Sequence, residues 1–155
     1  MNVITVTATD AAGNAATDTV AVTYSQPPSQ FWRLEHFGTA DASGNAADLA
    51  DPDEDGLVNM VEFFLNGNPN SSAGVSLPTV GIENGDLTLT YTRNKAAMTE
   101  LAFAVEASLS LAGPWGTSGV TEEVLSETIT IEQIKSRLPT GPDSAKYLRL
   151  RIVRP

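Results

Sequence analysis

Four of the five residues from Asp51 to Asp55 are acidic, and a compact fold can include such a segment only if something offsets their mutual repulsion. The wider segment DPDEDGLVNMVE, residues 51–62, matches the pattern D-x-[DN]-x-[DN]-G-x5-E at every specified position. A hard cation such as Ca²⁺ takes oxygen ligands at about 2.3–2.6 Å, and a short loop surrounds it only when carboxylates recur on alternate residues. Asp51, Asp53 and Asp55 then fill positions 1, 3 and 5, and Gly56 makes the sharp turn that aims the Leu57 carbonyl at the metal. Asn59 acts directly or through a water, and Glu62 closes the shell with both carboxylate oxygens. Val58 has no ligand role and is expected to face the core.

The regular helix–loop–helix form is not expected in full. Residues Ala46 to Ala50 are too few for an incoming helix, and Pro52 sits inside the loop. A single loop therefore fits better than half of a paired regulatory hand, and a sensor that opens a Met-rich groove is not expected. Asp41, Asn45 and Asp48 also carry oxygens and form a candidate second cation site, with turn and capping bonds as the alternative use.

With 155 residues the chain holds one ordinary domain or two very small ones. Its net charge of -10 argues against nucleic acid and anionic membrane surfaces as partners. The acidity is uneven: residues 1–90 carry twelve Asp or Glu and one basic residue, Arg33, whereas residues 91–155 carry seven acidic and eight basic. Two parts with different surfaces are implied. Cysteine is absent, which removes disulfides and thiolate zinc sites. An extracellular protein without disulfides needs another staple, and calcium is one. No apolar run reaches membrane-spanning length, and MNVITV is not a signal peptide, so a secreted form would be a mature segment or excerpt of something longer.

Residues 3–8 and 17–24 alternate in polarity around DAAGNAA, whose Gly13-Asn14 suits a hairpin turn. Val20, Val22 and Tyr24 fall on one face of this two-stranded ribbon, which is marginal alone. Residues 25–30 have linker composition, stiffened by Pro27 and Pro28. Ser29 is expected to cap a helix running to about Phe37, with Phe31, Leu34 and Phe37 buried and Gly38 as the stop. His36 and Trp32 lie on that helix, and no partner motif gives His36 a catalytic role. A second helix is expected over Leu57–Leu65, apolar on nearly every side and so buried between two surfaces, with Gly67 as its left-handed cap and Pro69 blocking continuation.

From Leu77 onward the pattern is strands. Val80, Ile82, Leu87, Leu89 and Tyr91 alternate about Asn84-Gly85, a strong hairpin signal. Leu101, Phe103, Val105 and Ala107 follow, then Thr128–Ile131, and last Leu148, Leu150 and Ile152 facing in with Arg149 and Arg151 facing out. Gly113-Pro114-Trp115 is a turn entering a strand, with Trp115 covering one end of the core. The expected fold is mainly β: a small antiparallel β-sandwich over 77–155, a short helix–calcium loop–helix insertion over 31–72, a linker at 25–30 and an N-terminal β-hairpin over 1–24.

ITVTATDAAGNAATDTVAVTY resembles the last two strands of bacterial immunoglobulin-like repeats. FWRLEHFG, ADLADPDEDGLVNMVEFFLNGNP, AFAVEAS and KYLRLRIV together resemble the C-terminal ends of large secreted proteins of environmental bacteria, in which a calcium loop precedes a small β-sandwich. The loop is also similar to those of dockerins and thrombospondin calcium repeats, which implies the same ligand roles for Asp51, Asp53, Asp55, Asn59 and Glu62. Two departures stand out: Glu54 adds a charge where a small or basic residue is usual, and no second loop follows. The resemblance implies secretion or a bacterial cell-surface location and a structural or adhesive role.

The function expected is a calcium-stabilised extracellular module. Self-association through strand donation by residues 2–24, extending to a fibre, is one partner reading, and other domains of a longer secreted protein are the other. A carbohydrate-binding or targeting appendage of a secreted hydrolase is the alternative, resting on Trp115 and Tyr147. No phosphate loop, nucleophile elbow or cysteine is present, so no enzyme is expected.

Overall fold

The structure, a computed structural model, describes residues 2–73, 77–139, 141 and 146–155. Position 1 of the N-terminal segment, and positions 140 and 142–145 of the expected β region, lie outside the described residues. The chain is mainly β, with antiparallel sheets throughout.

Strands β1 (Asn2–Thr9) and β2 (Ala15–Val22) form a hairpin. Its turn is built by Asp10, whose carboxylate accepts from the Ala12 and Asn14 backbone N–H groups and from Asn14 Nδ2, while Gly13 takes φ 86°. Cross-strand partners Ile4↔Val20 and Asn2↔Val22 put Ile4, Val6, Val20 and Val22 on one side. Every residue of both strands is exposed.

Helix α1 spans Pro28–Phe37 and ends on Gly38, which is left-handed at φ 70°. Two expectations for it fail. Ser29 lies inside the helix, and Pro27 precedes it without a side-chain cap. Phe31 and Leu34 are exposed, and the buried residues are Ser29, Trp32 and Arg33. Polar anchors set this rotation: Ser29 donates through N–H and hydroxyl to Glu100, and Arg33 Nε donates to the Ala46 carbonyl. His36 packs its ring against Trp32 at 4.8 Å, and burial lowers its pKa against the opposing field of Glu35.

Helix α2 spans Asn59–Leu65, starting two residues later than expected, and Asn66 rather than Gly67 takes the left-handed cap at φ 61°. It is buried on most of its surface, as its apolar sequence requires. Phe64 is fully buried, with ring centroids 6.3 Å from Tyr91 and 5.0 Å from Phe103.

Six further strands follow: β3 (Thr79–Glu83), β4 (Asp86–Asn94), β5 (Ala102–Ser108), β6 (Thr121–Glu127), β7 (Ile131–Pro139) and β8 (Tyr147–Val153). One sheet has the order β3-β4-β7-β6, and β5 pairs with β8 in a second. The β3–β4 turn uses Asn84 and Gly85 at φ 54° and 86°, as the dipeptide predicts. Leu89, Tyr91 and Ile134 of the larger sheet share one core with Val105, Phe103 and Leu150 of the smaller and with α2, an arrangement consistent with a small β-sandwich. Leu148, Leu150 and Ile152 pack on that core while Arg149 and Arg151 are exposed, as expected.

One strand expectation needs revision, and two further features of the sheet lie outside what the alternation predicts. Thr128–Ile131 is mostly the turn between β6 and β7: Thr128 Oγ1 accepts from the Thr130 and Ile131 N–H groups, and Ile129 is 94% exposed. The central strand β7 carries little apolar alternation: Ile134, Ser136 and Leu138 turn inward, and Gln133, Lys135 and Arg137 alternate with them. Val80 and Ile82 share a face with the buried Leu89 and half-buried Leu87, yet both are exposed, because β3 is an edge strand.

Candidate metal centre

The loop before α2 is fixed by backbone bonds rather than by an incoming helix. A 3₁₀ turn at Gly44–Ala46 is the last helical element ahead of Asp51. The first two N–H groups of α2 lack intrahelical acceptors by construction, and they donate instead to the upstream chain: Asn59 N–H to the Ala50 carbonyl and Met60 N–H to that of Asp48. Asn59 Nδ2 adds bonds of 2.7 Å to the carbonyls of Asn45 and Ala47. The segment 45–50 is thus stitched onto the helix start, and residues 51–58 are the loop that remains.

Within the loop, Asp51 accepts from the Gly56 N–H at 2.9 Å and Asp55 from the Leu57 N–H at 2.8 Å. Gly56 sits at φ 92°, where a side chain is disfavoured. Glu54 also takes a left-handed φ of 59°, uncommon for a residue with a Cβ. This backbone gathers the carboxylates of Asp51, Asp53 and Asp55 so that one oxygen from each lies within 4.8 Å of the others. Asn59 and Glu62 are three apart on α2 and therefore share a face; they are 1% and 0% exposed.

Among the described residues, four buried side-chain polar atoms have no hydrogen-bond partner: Asp53 Oδ2, Asn59 Oδ1 and both oxygens of Glu62. All four are acceptors, and all belong to the expected ligand set. Burial, together with the fields of Asp53, Asp55 and Asp51, pushes the Glu62 carboxyl up to about 7. An uncompensated buried charge costs about 3–5 kcal/mol and an unsatisfied buried acceptor about 1–3 kcal/mol. Those costs are a large share of the roughly 5–15 kcal/mol that holds a domain together. A cation accepting all four atoms removes both, so these residues fit a hard metal ion.

The second group of oxygens is used differently. Asp48 accepts from Arg33 Nη2 and from Arg154, whose Nε lies 2.6 Å away, so two guanidinium groups already answer its charge. Burial raises the Asp48 pKa, and the bonds from Arg154 and Arg33 outweigh it, leaving a net lowering. Asn45 contributes its backbone carbonyl to Asn59, and Asp41 is exposed. Arg33 and Arg154, remote in sequence, frame the loop entrance, and no motif marks either.

At the far end of β5 and β8, Trp115 lies under the Arg149 guanidinium at 4.3 Å and borders a hollow of about 530 Å³ that includes Ser108, Ser110 and Ser118. Tyr147 is the cross-strand partner of Ser108. No helix among the described residues is long and apolar enough to cross a membrane. No family model, no curated protein and no solved structure matches the chain.

Proposed function

We propose that this chain is a calcium-stabilised module acting outside the cell in a structural and adhesive role, without catalytic chemistry of its own. One observation carries the reading: the four buried, unpartnered side-chain oxygens of Asp53, Asn59 and Glu62 beside the cluster of Asp51, Asp53 and Asp55. Asp51, Asp53, Asp55, Asn59, Glu62 and the Leu57 carbonyl would hold the ion. Calcium supplies positive charge there, and the protein gains a link between the 45–50 segment, the loop and α2. Because α2 carries Phe63 and Phe64 into the core, ion binding and core stability are coupled. Partners under this reading are copies of the chain or other domains of a longer secreted protein.

The test is thermal unfolding in millimolar calcium and in chelator. A ligand bound only by the native state at a hundredfold excess over Kd adds about 2.7 kcal/mol, which is about 5–11 °C for a chain of this size. Equal melting temperatures overturn the metal assignment.

A carbohydrate-binding role is the second reading, supported by the hollow beside Trp115 with its serine hydroxyls. Retardation on immobilised polysaccharide that is lost in Trp115→Ala supports it, and no retardation removes it.

A further inference from the structure

The four-stranded sheet has two edges of opposite character. Strand β6 carries Glu122, Glu123 and Glu127, and a register irregularity interrupts its pairing between Val124 and Ser126. Charges and bulges are the devices that keep an edge from pairing with another chain. Strand β3 has neither in its body. Its register with β4 is unbroken over Thr79–Glu83, its single charge is the terminal Glu83, and Val80 and Ile82 are 68% and 72% exposed. Below its start at Pro78 runs a groove of about 470 Å³, walled by Leu57, Val61 and Leu65 on one side and Leu150 and Ile152 on the other.

The same chain carries an element of complementary shape and chemistry. One face of hairpin β1–β2 carries Ile4, Val6, Val20 and Val22, 44–65% exposed, with Asp18 opposite Val6, and among the described residues both of its outer edges are unpaired. Two strands with one apolar face do not bury enough to stand alone in water. Residues 2–24 carry Asp10 and Asp18 and no basic residue, while the groove is bordered by Arg151 and by Arg149, which also pairs with Glu106.

We infer that hairpin β1–β2 of one copy adds to the free edge of β3 in a second copy, its apolar face continuing the row of Val80 and Ile82 and covering the groove. Backbone pairing supplies affinity, the apolar row sets the register, and the acidic hairpin meets the arginine border. Donor and acceptor are different surfaces, so the contact is head-to-tail and grows beyond a dimer unless it closes into a ring. The inference rests on the self-association part of the function proposed above and not on the metal.

Light scattering in millimolar calcium tests it with two double variants of exposed residues: Ile4→Lys with Val20→Lys in the donor, and Val80→Lys with Ile82→Lys in the acceptor. The wild-type mass should rise with concentration to at least twice the 16.3 kDa of one chain. Each variant alone should stay at one chain, and an equimolar mixture should recover a one-to-one dimer. A wild-type protein that stays at one chain, whether the hairpin folds onto its own sheet or serves another polypeptide, overturns the inference. So does either variant assembling like wild type, or a mixture that stays at one chain. Unchanged melting temperatures of the variants guard against misfolding. Failure leaves the calcium reading standing, since the chelator melt decides that separately.

Discussion

Asn59 donates its side-chain Nδ2 to the Ala47 carbonyl at 2.7 Å, and the same nitrogen reaches the Asn45 carbonyl. Its Oδ1 is left buried without a partner. One side chain therefore binds the upstream segment with its nitrogen and keeps its oxygen free for the ion proposed above.

Asn59→Ala should accordingly destabilise the protein with or without calcium. The Asn45 carbonyl loses this donor, while the Ala47 carbonyl keeps the Ala50 N–H, so one unsatisfied acceptor, at about 1–3 kcal/mol, is left behind. Urea unfolding of the variant in calcium and in chelator should show a loss of about 1–3 kcal/mol in both. A loss confined to calcium would reduce Asn59 to a ligand alone.

Glu62 should behave in the opposite way. Glu62→Gln keeps the shape but removes the buried charge, so in chelator the variant should melt above wild type, and most of the calcium shift should vanish. Titration calorimetry should also show Glu62→Ala losing more calcium affinity than Asn59→Ala, because a bidentate carboxylate gives two oxygens and a charge. Equal affinity losses would contradict the coordination assigned to the loop.

Acid should act on the metal-free protein in two stages of opposite sign. The Glu62 pKa is raised to about 7, so between there and its unfolded value near 4.5 the folded state holds the extra proton, and stability rises as pH falls. Asp48 and Glu100 are lowered. Burial raises both, but bonds from Arg154 and Arg33 to Asp48, and from Ser29 and Arg154 to Glu100, prevail. Their stabilisation is complete above the unfolded carboxylate range and lost as pH falls through their folded values. Melting temperature in chelator should climb from pH 7.5 to about 4.5 and then drop. Glu62→Gln should remove the climb, and Asp48→Asn should shrink the drop. A monotonic fall from pH 7.5 in wild type would refute the burial of an ionisable Glu62.

Phe64→Ala tests the link between helix and sheets. The ring is fully buried against Tyr91 and Phe103, and truncating a buried Phe costs about 3–5 kcal/mol. Denaturant unfolding should show that loss. A change under about 1 kcal/mol would mean that α2 does not bridge the two sheets.

The acidic cluster was readable in sequence because its geometry is local: Asp51, Asp53, Asp55, Gly56 and the helix face of Asn59 and Glu62 all lie within residues 51–62. Hairpins were readable where the turn residues are decisive, as at Asn84-Gly85. Long-range polar contacts were not readable. Ser29 has the composition of a cap, but Glu100 draws it into the helix body, and the rotation that follows exposes Phe31. Strand β7 was hidden because Arg93 pairs with Glu132, and Lys135 and Arg137 with Glu83, so a central strand carries the charge pattern of a surface. The fate of Asp48 turned on Arg154, a residue 106 positions away.

That last pair has a mechanical meaning. Arg154 follows β8 directly and binds Asp48 and Glu100, while Asp48 also holds Arg33 of α1. Tension on the chain beyond β8 therefore meets these ion pairs before it reaches the β5–β8 ladder. The pull is divided between α1, the entrance of the acidic loop and the turn after β4, so the terminal strand is not peeled away one bond at a time. The structural and adhesive role proposed above would gain from such a knot at the end of β8.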